Sequence, residues 1–248
     1  MWIALVIGWM ALVVVGPWLL RNPRENVETG LAWYAIRLYV KVVHRVVVRG
    51  VEHVPRERYP GPIVVVANHS AGIDPLLLQS AAPFEIRFLM ARDMQPRLLG
   101  ALWRWAGVIS VNREGGDTQA AREAVRFLRS AGEMLEAGYR CSGVVGIFPE
   151  GGIERPAEEL LPFLPGVGLI VHRSGARVLP AVIRGTPRAT TAWGSLLERS
   201  RSSVEFLPMI EYGATGMKPA EIAADLQRRF QAHTGWRVAK SAGPATRS

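Results

Sequence analysis

The sequence predicts an α/β domain, a mixed and largely parallel sheet flanked by helices, preceded by a hydrophobic N-terminal helix that anchors the chain to a membrane. Three observations carry this reading. Beyond residue 50, short apolar runs alternate with helical patterns, the signature of strand and crossover helix. Residues 1–20, MWIALVIGWMALVVVGPWLL, hold no charge. The 248 residues are 49% hydrophobic and carry 30 Lys and Arg against 21 Asp and Glu, enough apolar material for a sizeable core and a net +9 that suits anionic partners. The composition excludes collagen, a disordered chain and a small disulfide scaffold. A single cysteine, Cys141, excludes an internal disulfide and a Cys-rich metal set.

Taken in order, the first twenty residues would rise to about 30 Å as a helix, the thickness of a bilayer's hydrocarbon core. A secretory signal is the competing reading, but the segment has no basic start and its end, GPWLLRNP, offers no small-x-small cleavage site. A buried helix is the third reading, and Gly16-Pro17 would kink any of them. Arg21, Arg24, Arg37, Lys41, Arg45 and Arg49 follow, which places the rest of the chain on the cytoplasmic face, with Trp18 and Trp33 suited to the head-group layer. Residues 31–48 set Leu31, Tyr34, Ile36, Leu38, Val42 and Val46 among basic residues, which fits an amphipathic helix on the membrane surface and equally a core-facing helix. Strands are expected at 62–68, 85–91, 108–112, 143–149, 177–183 and 203–209. Helices are expected at 98–107, at 117–138 from Asp117 or Thr118 to Gly138, and at 219–235 between Pro219 and Gly235. The division is an anchor and interfacial helix at 1–49, one domain at 50–236, and a disordered tail at 237–248.

The chemistry is narrowed by what is missing: no G-x-S-x-G elbow, no G-x-x-x-x-G-K-[ST] loop, no G-x-G-x-x-G after a strand and no H-E-x-x-H. His69 stands apart from the other four histidines because it lies in NHSAGIDP, 68–75, directly after the strand-like VVVA. A polar cluster at the carboxyl end of a sheet strand is where α/β proteins build sites. Five residues on, across Gly72, Asp74 can fold back to one imidazole nitrogen, fix the tautomer and leave the other nitrogen to take a proton from a hydroxyl. Asn68 and Asp74 could equally cap a turn or helix. A second cluster, IFPEGG at 147–152, again follows a strand and pairs a carboxylate, Glu150, with the exposed backbone of a Gly turn.

At these residues the chain resembles the glycerolipid acyltransferases, the family that includes 1-acylglycerol-3-phosphate acyltransferase. Four blocks occur in the family's order: NHSAGID at 68–74, GVISVNR at 107–113, FPEG at 148–151 and VLPAVI at 178–183. The resemblance implies transfer of a fatty acyl group from acyl-CoA or acyl carrier protein to a hydroxyl of a lysolipid acceptor, with no cofactor and no metal beyond the donor substrate. It makes His69 the general base and Asp74 its orienter, gives Arg113 the acceptor's phosphate, and sets Glu150 and Gly151 in the same pocket. Pro180 belongs to a more structural block. A thioester is already activated, so positioning the hydroxyl and removing its proton suffice.

The chain also departs from the pattern. Gly152 and Ile153 stand where the family has Thr and Arg, and Leu164 stands where it has Lys, so two expected cations are absent; Arg155, displaced by two, is either a substitute or an exposed loop arginine. The acceptor could therefore differ from lysophosphatidate. A non-catalytic lipid-binding relative is the alternative that intact His69 and Asp74 argue against. Nucleic acid is not an expected partner, because no interleaved Arg and aromatic surface is present.

Overall fold

A computed structural model describes residues 2, 9, 13, 15–112, 118–153, 158–187, 191 and 193–239. Seven strands form one sheet: β1 (Val47–Arg49), β2 (Ile63–Ala67), β3 (Arg87–Ala91), β4 (Ile109–Val111), β5 (Val144–Ile147), β7 (Arg177–Arg184) and β8 (Ser203–Phe206), in the order β1-β8-β7-β2-β5-β3-β4. All neighbours are parallel except β7 and β8, so the predicted mixed, largely parallel sheet is present. Two short strands, β6 (Glu159–Leu160) and β9 (Arg237–Val238), pair beside it.

The central strands β2 and β5 are buried along their whole length because helices cover both faces of the sheet. Val64, Val66, Val145 and Ile147 face one side, where α4 (Thr118–Arg129), α5 (Gly166–Ser174) and α6 (Pro219–Thr234) pack. Ile63, Val65, Ala67 and Val144 face the other, against α1 (Val27–Val43) and α2 (Asp74–Ala81). Each such valine or isoleucine contributes about 1.5 to 3 kcal/mol on full burial. A sixth helix, α3 (Gly100–Trp105), crosses from β3 to β4. Pro180 lies inside β7, an unusual place for a residue without an N–H. It is tolerated because the antiparallel partner changes there: Ala181 pairs with Phe206, while Val178 pairs with Ile210.

Several expectations are corrected. The helix expected at 117–138 ends at Arg129, and residues 130–141 form a turn in which Gly132 donates to the carbonyl of Cys141 and Met134 bridges Arg140. Gly132 adopts φ +82, which stops the helix well before Gly138. The helix read at 31–48 occupies 27–43 instead; Asn26 caps it, and the β-branched run after His44 becomes β1, paired with β8. The sheet thus begins before residue 50. The tail starts with β9 rather than disorder, and Ala239 donates to Leu160 beyond it. Helix α5, between Pro165 and a left-handed Gly175, was not expected.

At the N-terminus, residues 15–19 are helical, and most of residues 1–14 lie outside the described residues. Among the described residues no helix is long and apolar enough to cross a membrane. Trp33, expected at a head-group layer, and Arg24, one of the basic residues read as setting the topology, are both committed elsewhere. Trp33 is buried beneath the Arg37 guanidinium, and Arg24 is buried with two N–H groups on the Glu85 carboxylate. Trp18 is half-exposed and stacks on Tyr34.

Candidate active site

The first motif leaves the carboxyl end of β2 and the second leaves the carboxyl end of β5. These strands are parallel neighbours with Val66 opposite Ile147, so two motifs about eighty residues apart emerge side by side. Asn68, the first residue past β2, is buried and spans to β7: its amide donates to the Ile183 carbonyl at 2.9 Å and accepts from the Ile183 N–H at 2.7 Å. Asn68 is therefore a strand-to-strand clamp, not a cap.

His69 follows. Its Nδ1 lies 2.9 Å from Asp74 Oδ2. The same oxygen accepts the N–H groups of Ser70 at 2.6 Å and Ala71 at 2.9 Å. Asp74 is fully buried at the first turn of α2, so a charge that burial would penalise is offset by three convergent donors. Both readings of Asp74 thus hold in one geometry: it closes the turn and it orients the imidazole. With Nδ1–H directed at the carboxylate, the lone pair sits on Nε2. The imidazole is partly exposed, at 20% of its side chain, so a substrate hydroxyl can reach it.

Glu150 reaches the same turn from the other side. Oε1 accepts the His69 N–H at 2.8 Å and Oε2 accepts the Leu161 N–H at 2.7 Å. The carboxylate expected in the substrate pocket thus lies beside the His69 turn, where its oxygens hold backbone. Gly151 adopts φ +68, and its N–H donates to Phe148 O at 3.2 Å to close the F-P-E-G turn. The Leu164 side chain packs over Gly151, where a Cβ would come within 2.8 Å of it, so an apolar group occupies the position where the family has lysine. Arg113, Glu154 and Arg155 lie outside the described residues.

Two further side chains hold the site in place. Phe148 stacks on the His69 ring, centroids 4.1 Å apart and planes 18° from parallel, and Phe88 of β3 stacks behind Phe148 at 5.9 Å. Ser195 Oγ accepts the N–H of Ile73, the residue before Asp74, at 3.1 Å. Phe148 was visible as part of F-P-E-G, though not its contact; nothing in the sequence marks Ser195.

A family model described as Acyltransferase matches residues 45–184, more than half of the chain and the whole span of the motifs. The chain belongs to the acyltransferase family. It is an enzyme of that class, and the resemblance drawn from the four blocks is borne out. No curated protein matches the chain significantly. Among solved structures, the chain is similar to the 1-acyl-sn-glycerophosphate (LPA) acyltransferase PlsC from Thermotoga maritima. The match has a TM-score of 0.59 and 19% identity over 93% of this chain and 92% of that one, and at that identity the likeness is one of fold.

Proposed function

We propose that this acyltransferase moves a fatty acyl group from an acyl thioester, acyl-CoA or acyl carrier protein, to the hydroxyl of a lysophosphatidate-type acceptor at a membrane surface, as a step of phospholipid synthesis. The observation that carries the reading is the His69–Asp74 pair, with Nδ1 held by a buried carboxylate and the ring face held by Phe148. Nε2 takes the proton as the acceptor oxygen attacks the thioester carbonyl. The C–O bond forms, the C–S bond breaks, and the proton passes from Nε2 to the departing thiolate. No covalent acyl-enzyme is required.

The acceptor assignment rests on the second block, where Arg113 follows two residues after β4 and can grip a phosphate with a planar fork. Arg155 is its candidate partner. Leu164 favours a second reading, an acceptor with a neutral or zwitterionic head group, because an apolar side chain replaces a cation. Membrane association is supported by α1. Its inner face buries Trp33 and Val40, while Val27, Leu31, Ala35, Leu38 and Val42 form an exposed apolar stripe beside Lys41 and Arg45. The uncharged residues 1–20 would add an anchor, and the exposed basic residues Arg21, Lys41, Arg45 and Arg49 favour the cytoplasmic face.

The test is to incubate the full chain in lipid vesicles with labelled acyl-CoA, or acyl carrier protein, and a panel of lysolipids, and to read products by mass. Preferential acylation of lysophosphatidate supports the proposal. Preference for a neutral acceptor selects the second reading, and absence of acyl transfer to every lysolipid overturns both.

A further inference from the structure

Two loops that flank the catalytic turn expose apolar side chains that the mechanism does not use. Between β3 and β4, Leu98 is 95% exposed and Leu102 and Trp105 are exposed beside it; between β7 and β8, Leu197 is 87% exposed and Trp193 stands nearby. These segments are about ninety residues apart, yet the rings of Trp103 and Trp193 meet at 5.8 Å, which joins them into one surface. Among the described residues these segments carry five exposed arginines, at 92, 97, 104, 199 and 201, against two acids, Asp93 and Glu198, a basic excess of three.

This surface is continuous with both the membrane-facing helix and the site. The Tyr39 hydroxyl of α1 donates to the carbonyl of Leu196, and the Arg24 guanidinium lies over Trp105 at 5.2 Å. Ser195, between Trp193 and Leu197, accepts the Ile73 N–H at the catalytic turn. Leucines held out in water cost free energy that burial in acyl chains recovers, tryptophans favour the interfacial layer, and arginines favour anionic head groups.

We propose that the Leu98–Trp103 and Trp193–Leu197 loops form a second lipid-docking rim that inserts into an anionic bilayer beside the active site. The proposal rests on the reading that this enzyme works at a membrane. Leu98 and Leu197 enter the acyl layer, the tryptophans sit at its boundary, and the arginines hold phosphate head groups. Docking the rim brings the mouth of the site to the bilayer, so a lysolipid reaches His69 without crossing water.

The chain suits a labelling test because its single cysteine, Cys141, is buried. An environment-sensitive fluorophore is placed on Leu98→Cys, on Leu197→Cys, on Leu38→Cys in the α1 stripe, and on Arg228→Cys as a control on α6. Each full-length protein is mixed with phosphatidylcholine vesicles with and without phosphatidylglycerol. The expected result is a blue shift and a several-fold rise in emission at 98, 197 and 38 with the anionic vesicles, quenched by doxyl-labelled lipid, and no change at 228. A response at 38 without one at 98 or 197 overturns the rim and leaves the membrane reading standing. No response at any site overturns both. A shift at 98 or 197 that grows with protein concentration in the absence of vesicles overturns the lipid assignment in favour of a second copy of the chain.

Discussion

The backbone N–H of His69 donates to Glu150 Oε1 at 2.8 Å, so the carboxylate of one motif holds the backbone of the other's histidine. The two motifs are mechanically one site, and substitutions in either should act on the same imidazole.

Replacing His69 by Ala should lower acyl transfer by about 10² to 10⁴, the range of a positioned base, with little change in melting temperature. Asp74→Asn should also lower kcat severely, because the amide retains an acceptor but loses the charge that stabilises the imidazolium. Asp74→Ala adds a loss of stability, since the N–H groups of Ser70 and Ala71 lose their acceptor, about 1 to 3 kcal/mol for each buried unpaired group. Steady-state kinetics together with thermal melts separate the two effects. A near-normal turnover in His69→Ala would remove the general-base role.

Glu150→Ala should behave as a loss of positioning. Two N–H groups, of His69 and Leu161, are left without their carboxylate, so stability and kcat should fall together while KM for the acceptor changes little. Glu150→Gln keeps one acceptor oxygen and should recover part of both. A large rise in KM at unchanged kcat would return Glu150 to a substrate contact.

Gly146 tests the aromatic stack from behind. A Cβ at this position of β5 would stand 2.4 Å from the Phe88 ring, which in turn backs Phe148. Gly146→Ala should cost about 1 to 3 kcal/mol by overpacking and should reduce kcat through a displaced Phe148 and His69. Phe148→Leu should reduce kcat with less loss of stability, measured by the same pair of assays.

Burial holds the His44 imidazole below its ordinary 6.5, between the Ser200 hydroxyl on Nδ1 and the Tyr39 hydroxyl on Nε2. In the window between the folded value and 6.5 the unfolded chain binds more protons, so stability rises with pH. Acidification through 6.5 should therefore lower the melting temperature, and the loss should level off below the folded value. His44→Asn should show a shallower dependence between pH 7 and 5. An identical slope in both proteins would locate the acid sensitivity elsewhere.

Arg113→Ala should lower kcat/KM on lysophosphatidate by roughly tenfold or more, since a charge-assisted bond contributes about 1.5 to 3 kcal/mol. Arg113→Lys should lose less, keeping charge without the fork. On a neutral monoacylglycerol neither substitution should matter. An equal, small effect on both acceptors would take the phosphate from Arg113.

The sequence by itself determined the elements whose causes are local. Alternation and β-branched runs set β2, β5 and β7, Pro219 and Gly235 bounded α6, and the spacing from His69 to Asp74 allowed their bond without requiring it. Where local signals conflict, tertiary contacts decided: the valines after His44 suit helix or strand, and pairing with β8 made them β1. Helical periodicity continues past Arg129, but hydrogen bonds to Cys141 and Arg140 stop α4 there. The site shows the same division. Its polar residues could be named from two short motifs, whereas their meeting depends on β2 and β5 lying adjacent although α2, β3, α3, β4 and α4 intervene in the chain. Asn68 on Ile183, Phe148 on His69 and Ser195 on Ile73 are contacts between segments far apart in sequence, and they exist because burial of both sheet faces fixes the strand order. Hydrophobic patterning specifies which faces are buried; only the packed sheet specifies which loop stands next to which.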